Sequence, residues 1–292
     1  MERVSDWLAV FLQDGKARGL SPKTLTFYRE GVMAMVRTIE DKPVDRITTA
    51  DLRLFLSRSH QAGRSGGGVL AHYRAVRVFL RWLVREEVIW DDPTRRLRPP
   101  KAPPPDLPVI REGEARRLLL AAEMGRYPLR DKALVLLLWD TAARAGEILE
   151  LRLGDIRPEG VRVKRKGGAY QVLPISPATR RALWAYLRNE RPQVDHDFAF
   201  VSEKGWPLCY NTFRQLLRRL FRNAGLVYKP SHAFRRGAAV AMVKNGMNPF
   251  ALQTMMGHKS NLMTAHYVRL AEKDLREIHS KFSPVRGLFK GD

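Results

Sequence analysis

Ser231-His232-Ala233-Phe234-Arg235, then an apolar run, then Gly257-His258, and finally Ala265-His266-Tyr267 form the stretch from which the rest of the chain is read. It holds three residue types suited to phosphoryl transfer: a phenol nucleophile, proton-handling imidazoles and a permanently charged, forked cation. His232 and Arg235 are three apart, so on a helix they share a face. Ser231 is expected to N-cap that helix, and Asn245-Gly246 to stop it. Asn248-Pro249 reads as the cap and first residue of a second helix, which Gly257 ends, releasing His258 at a turn. Two histidines, an arginine and a tyrosine thus lie on successive short helices and turns that can converge. By spacing alone the pattern fits phosphoryl transfer without singling it out.

His-x-x-Arg, then Gly-His, then Tyr resembles the C-terminal signature of the tyrosine recombinase (phage integrase) family. Upstream, Thr141-Ala142-Ala143-Arg144-Ala145-Gly146-Glu147-Ile148-Leu149 resembles that family's arginine box, Thr-Gly-Leu-Arg-x-x-Glu-Leu-Leu. Ala142-Ala143 replaces Gly-Leu. The resemblance runs over nearly the whole chain with its motifs in order. It implies a mainly α protein of two domains: a helical SAM-like core-binding domain, and an α+β catalytic domain of tyrosine recombinase type with a small β-hairpin.

The composition agrees with a polyanionic partner. The 292 residues suffice for two cores, and the formal charge is +22 with 52 Lys+Arg against 30 Asp+Glu. Such an excess points first to nucleic acid and second to an anionic membrane, or merely to a solvated cationic surface. The charge is uneven: 17 basic against 12 acidic residues up to Leu97, and 35 against 18 thereafter. The single cysteine, Cys209, excludes an internal disulfide and fits a reducing cytoplasm. Glu2 and Asp6 precede any apolar run, so no signal peptide is expected. Ala133–Trp139, the strongest apolar segment, is too short to span a bilayer. A soluble, cytoplasmic, nucleoid-associated protein without membrane contact is expected.

Along the chain, Val4, Trp7, Leu8, Phe11 and Leu12 mark an amphipathic helix. Ser21-Pro22 opens a second, with Lys23 and Thr24 as candidate DNA contacts in its first turn. Thr48-Thr49-Ala50-Asp51 has the form of a capping box. Arg64-Ser65-Gly66-Gly67-Gly68 reads as a flexible loop before a long helix with Leu70, Tyr73, Val76, Leu80 and Leu83 on one side. Arg74, Arg77, Arg81 and Arg85 line another side, either as a solvated face or as phosphate contacts, the reading preferred here. The proline run from Arg98 to Pro105 is a stiff linker. The expected division is therefore 1–97, a core-binding domain; 98–108, the linker; and 109–292, the catalytic domain with an oligomerisation tail.

In the second domain, Leu129 to Thr141 should be a buried helix. Arg144 then lies within reach of Glu147 if a new helix begins between them, and the alternative to a catalytic Arg144 is a surface ion pair. Val161 to Ile175 is the convincing strand pair, turning at Gly167-Gly168 with Lys164, Arg165 and Lys166 at its tip. The resemblance puts a leaving-group acid on this hairpin, at Lys166 by the Gly-Lys-Gly pattern although Arg165 replaces the first glycine. Lys164, two residues away on the same side, is the alternative, and the tip residues not used as the acid would attract phosphate. From Asn211 to Ala224, Phe213, Leu216, Leu217, Leu220 and Phe221 face inward, while Arg214, Arg218 and Arg222 run down the outer face. That is the layout of a helix entering a major groove, or of a solvated basic face. A tail helix from Ala271 to Lys281 carries Leu275 and Ile278 in an apolar stripe that docks in cis or, by the resemblance, on a neighbouring protomer.

Cleaving a phosphodiester requires neutralising the non-bridging oxygens, activating a nucleophile and protonating a poor leaving group. Arg144 and Arg235 supply two clamps, Tyr267 the nucleophile, His232 a proton acceptor and His258 a phosphate hydrogen bond, with Lys166 as general acid. The resemblance implies a covalent 3′-phosphotyrosyl intermediate, ATP-independent rejoining through a four-way junction, and a homo-tetramer on two double-stranded DNA sites that is monomeric or weakly associated without DNA. No cofactor or metal is expected, since the histidines and the cysteine show no ligand spacing. The competing readings are a type IB topoisomerase-like monomer and a catalytically silent DNA-binding protein. Among recombinases, no arm-binding domain is expected ahead of the first helix, which leaves simple integrases and the Xer proteins that resolve chromosome dimers. Ser283-Pro284 in the tail leans toward a phage or mobile-element integrase.

Overall fold

The computed structural model describes residues 2–102, 107–165 and 167–257. The chain divides into two compact units, Met1–Asp106 and Leu107–Asp292. Both are mainly helical. Lys166, His258, Tyr267 and the tail, on which several of the expectations above fall, lie outside the described residues.

The first unit contains α1 (Val4–Ala17), α2 (Pro22–Ile39), α3 (Thr49–Gln61) and α4 (Gly66–Arg85). Their starts are set by side chains that satisfy otherwise unpaired amides. Ser21 Oγ accepts from Thr24 N, and Thr48 and Asp51 form the expected reciprocal capping box. The glycine run departs from expectation. Gly66, Gly67 and Gly68 are the first turn of α4 instead of a loop, because Ser65 Oγ accepts from Gly68 N at 3.2 Å and fixes that turn. Val4, Leu8 and Phe11 pack with Val32, Met35, Phe55, Phe79, Leu80 and Leu83 into one core. Leu70, expected inward, is only half-buried, and Val69 takes the buried position. Arg74, Arg77 and Arg81 are exposed on the opposite face.

The second unit begins with α5 (Glu112–Glu123) and the buried α6 (Pro128–Thr141), followed by the short α7 (Ala145–Leu149). Next comes an antiparallel sheet of β1 (Ile156–Arg157), β2 (Gly160–Lys164) and β3 (Tyr170–Leu173), in the order β1-β2-β3. In the β2–β3 register Val161 opposes Leu173 and Lys164 opposes Tyr170. The hairpin was expected; β1 was not, since two residues carry no period. Helices α8 (Pro177–Asn189), α9 (Tyr210–Asn223), α10 (His232–Lys244) and α11 (Pro249–Met256) complete the described part. One face of α9 buries Phe213, Leu216, Leu217, Leu220 and Phe221 in the main core. Among the described residues no helix is long and apolar enough to cross a membrane.

Helices α2 and α4 cross where Gly31 meets Ala75, so closely that a Cβ on Gly31 would lie 2.4 Å from the Ala75 Cβ. Gly31→Val should therefore force the helices apart and cost about 3 kcal/mol. Gly67→Ala, in the first turn of α4 with nothing within 4 Å of the added atom, should instead stabilise by about 0.5–1 kcal/mol. Thermal unfolding of the two variants checks both signs.

Candidate active site

The site is built where α6 ends. Thr141 Oγ1 donates to Leu137 O at 2.6 Å and accepts from Ala143 N at 3.2 Å, folding the chain back on its own last turn. Ala142 takes the left-handed conformation, φ 50°, ψ 22°, an uncommon one for a residue with a Cβ. This accounts for glycine at that place in the resembled box: glycine adopts it without steric cost. The bend delivers Arg144 to the N-cap position of α7, where its own amide donates to Glu147 Oε2 at 2.9 Å.

Arg144 and Glu147 are ion-paired, Nη1 to Oε1 at 2.8 Å, but not on the surface. The Glu147 side chain is 6% exposed and that of Arg144 34%. The other carboxylate oxygen receives Arg165 Nη1 at 2.7 Å. Burial works to raise the Glu147 pKa, yet hydrogen bonds from the Arg144 amide and guanidinium and the charge of Arg165 outweigh it and hold the carboxyl below the ordinary value of 4.5.

Arg235 approaches from α10. It is buried, 4% exposed, and spans two elements: Nη1 donates to Ala142 O at 2.7 Å and Nη2 to Met256 O at 2.6 Å. His232 lies one turn earlier and is more open. Partial desolvation lowers its pKa below 6.5, followed by the charges of Arg236, Arg235 and Arg144, while Glu147 acts the other way. Segments about ninety residues apart in sequence thus meet around one turn and one carboxylate. Ser231, expected to cap α10 through its hydroxyl, has helical backbone angles and makes no side-chain cap; its Oγ lies 3.3 Å from Tyr210 Oη instead. The predicted stop at Asn245-Gly246 and the Asn248 cap are present, with Asn248 Oδ1 accepting from Phe250 N at 2.8 Å. Gly257 ends α11 in the left-handed conformation, one residue before His258.

Arg165 corrects an expectation. Placed at the hairpin tip as a DNA contact, it turns inward with its side chain 9% exposed. Its Nε donates to Gln171 Oε1 at 2.9 Å, and its Nη2 donates to Met255 O. A guanidinium with three fixed acceptors does not present itself to a phosphate. The inward turn follows from Glu147, whose buried charge needs a second partner. Gln171, which the sequence reading passed over, also donates through Nε2 to Thr254 O at 3.0 Å. Lys164, Lys23, Arg214 and Arg218 are exposed, whereas Thr24 is half-buried with its hydroxyl 2.9 Å from Ser21 Oγ. Arg218 also stacks over the Tyr228 ring, 5.3 Å from its centroid.

The comparisons bear on this geometry. Residues 108–274 match the Phage integrase family, and residues 11–87 the Phage integrase N-terminal SAM-like domain. The chain belongs to the phage integrase family. Tyrosine recombinase XerD of Halalkalibacterium halodurans is 31% identical over 97% of this chain and 99% of the relative. Tyrosine recombinase XerC of Corynebacterium efficiens is 29% identical over 91% and 87%. Among solved structures, a lambda integrase dimer bound to a COC′ core site superposes with a TM-score of 0.79 at 20% identity, covering 94% of this chain and 98% of that one. A lambda integrase tetramer bound to a Holliday junction gives 0.75 at 21% identity, covering 89% and 79%. The fold is that of the lambda integrase core, and the chain is a tyrosine recombinase, an enzyme of site-specific recombination.

Two measurements follow from the site's electrostatics. Glu147→Gln breaks a buried pair at its shared acceptor and should cost about 3 kcal/mol at neutral pH. The folded-state pKa of Glu147 is depressed, so its stabilisation is complete above 4.5 and lost as pH falls through the lower folded value. Denaturant titrations of the two proteins should therefore converge in acid, and a constant gap would contradict the assignment. For His232, the fold favours the neutral ring, so stability falls as pH drops below 6.5 toward the folded value. An NMR titration of its imidazole should give a midpoint under 6.5, moving upward in Arg236→Ala; a midpoint above 6.5 would show that the arginine charges do not reach it.

Proposed function

We propose that this recombinase cleaves and rejoins double-stranded DNA at specific sites through a covalent 3′-phosphotyrosyl intermediate. The Tyr267 oxygen attacks the scissile phosphorus, forming the P–O(Tyr) bond as the bond to the 5′-oxygen breaks. His232, neutral at physiological pH, assists by taking the phenolic proton. Lys166 protonates the departing 5′-oxygen, with Lys164 at the end of β2 as the alternative. Arg144 and Arg235 neutralise the non-bridging oxygens and His258 hydrogen-bonds the phosphate. Attack by a different 5′-hydroxyl reverses these steps and exchanges strands through a four-way junction, without ATP. The observation that carries this reading is the meeting of Arg144, His232 and Arg235 around the Ala142 turn and the Glu147 carboxylate.

Residues 1–97 serve in this reading as the core-binding domain, 98–108 as linker and 109–292 as the catalytic domain. Lys23, Thr24, Arg74, Arg77 and Arg81 contact DNA from the first, and Lys164, Arg214 and Arg218 from the second. The active assembly is a homo-tetramer on two sites, a reading that the DNA-bound dimer and tetramer of lambda integrase support, and it works in the cytoplasm. End-to-end likeness to XerD favours an Xer-type role in resolving chromosome dimers over integration of a mobile element.

Tyr267→Phe removes only the phenolic oxygen. It should bind DNA normally and yield no complex that survives SDS, whereas the wild-type chain should yield one. Sequencing the captured DNA identifies the site: one locus per chromosome supports the Xer-type role, and the ends of mobile elements support integration. An SDS-stable complex from Tyr267→Phe would remove Tyr267 as the nucleophile.

A further inference from the structure

We infer that Arg165 is a positioning residue for the phosphate clamp, an inference that rests on the reading of Arg144 as that clamp. Charge makes the first argument. Arg144 and Glu147 alone form a neutral pair, and a neutral pair offers little to an approaching phosphate. Arg165 bonds the Glu147 oxygen that Arg144's guanidinium does not use, 2.7 Å from Nη1 to Oε2. Two guanidiniums then share one carboxylate and leave one positive charge in excess. Without Arg165 the carboxylate would turn wholly toward Arg144 and compete with phosphate for it.

Geometry makes the second. At the end of α11 Thr254 O takes the Gly257 amide, and side chains from other elements reach the last three carbonyls of the helix. Thr254 O receives Gln171 Nε2, Met255 O receives Arg165 Nη2, and Met256 O receives Arg235 Nη2. Arg165 therefore ties three pieces together: the arginine box, the β2–β3 hairpin and the end of α11. The fit is close enough that a Cβ on Gly257 would lie 3.2 Å from Arg165 Nε. A glycine, which the resembled hairpin pattern has at this place, could make none of these bonds.

The test uses the full chain and suicide duplexes carrying the site recovered from wild-type covalent complexes, in three forms. One has an ordinary scissile phosphodiester, one a methylphosphonate, whose neutral group needs less neutralisation, and one a 5′-bridging sulfur, whose leaving group needs no proton. Arg165→Ala should cleave the ordinary duplex about 10²-fold more slowly, bind it as the wild type does, and come within about threefold of the wild type on the methylphosphonate. Sulfur should not restore it. Arg165→Lys keeps the charge and loses the fork, so it should recover to within about tenfold on the ordinary duplex. If Arg165→Ala does not fold, the deficit of Arg165→Lys must itself vanish on the methylphosphonate. Equal loss on all three duplexes would make Arg165 merely structural, and rescue by sulfur instead would place its action at the leaving group; either overturns the proposal. A wild-type chain that forms no adduct on any of them would overturn the underlying reading, and Arg165's role with it.

Discussion

The arrangement depends on one buried carboxylate. Gathering guanidiniums is costly because their charges repel and each loses water, and a nearby anion must offset both. Glu147 does so with both oxygens, one for Arg144 Nη1 and the other for Arg165 Nη1 and the Arg144 amide. Its position comes from local structure: it is the third residue of α7, and its side chain reaches back to the residue that starts the helix. A short-range capping rule thus becomes a long-range constraint. The same carboxylate that begins α7 holds the hairpin 18 residues away in sequence.

The second arginine is fixed differently, by backbone. Arg235 finds its acceptors at Ala142 O and Met256 O. The first exists in that place because α6 ends in a left-handed residue, and the second because α11 stops at Gly257, also left-handed. Both turns therefore aim carbonyls at one buried guanidinium. A side chain held in this way would lose little further freedom on meeting an anion, so in the proposed reaction the ordering cost is met during folding.

What was legible in the sequence follows from the range of the interactions involved. Caps and stripes are local, and Thr48 with Asp51, Ser21 with Thr24, and the inward face of α9 are found where their spacing puts them. The box and the His-x-x-Arg pair could be named from type and order. Arg165 could not be placed, because a basic residue at a hairpin tip reads as exposed unless the buried partner is known, and Glu147 is remote in sequence. The glycine run before α4 misled for the opposite reason: composition argued for a loop, and one serine hydroxyl on Gly68 N was enough to make it helix. Ser231 has the right residue type for a cap, yet its backbone is already helical, which turns the hydroxyl toward Tyr210.

The basic faces complete the physical picture. Arg74, Arg77 and Arg81 on α4 and Arg214, Arg218 and Arg222 on α9 are exposed opposite fully apolar faces. Like charges three or four residues apart weaken a helix by a few tenths of a kcal/mol per pair, so, apart from the stacking of Arg218 on Tyr228, these rows cost folding a little. The deep packing of Phe79, Leu80 and Leu83 on one helix and of Phe213, Leu217 and Leu220 on the other tolerates that cost. A polyanion that brought phosphates to these rows would remove the repulsion and release its own counterions. Packing thus holds these helices in place, and the repulsion along their outer rows is left for salt or a bound polyanion to relieve.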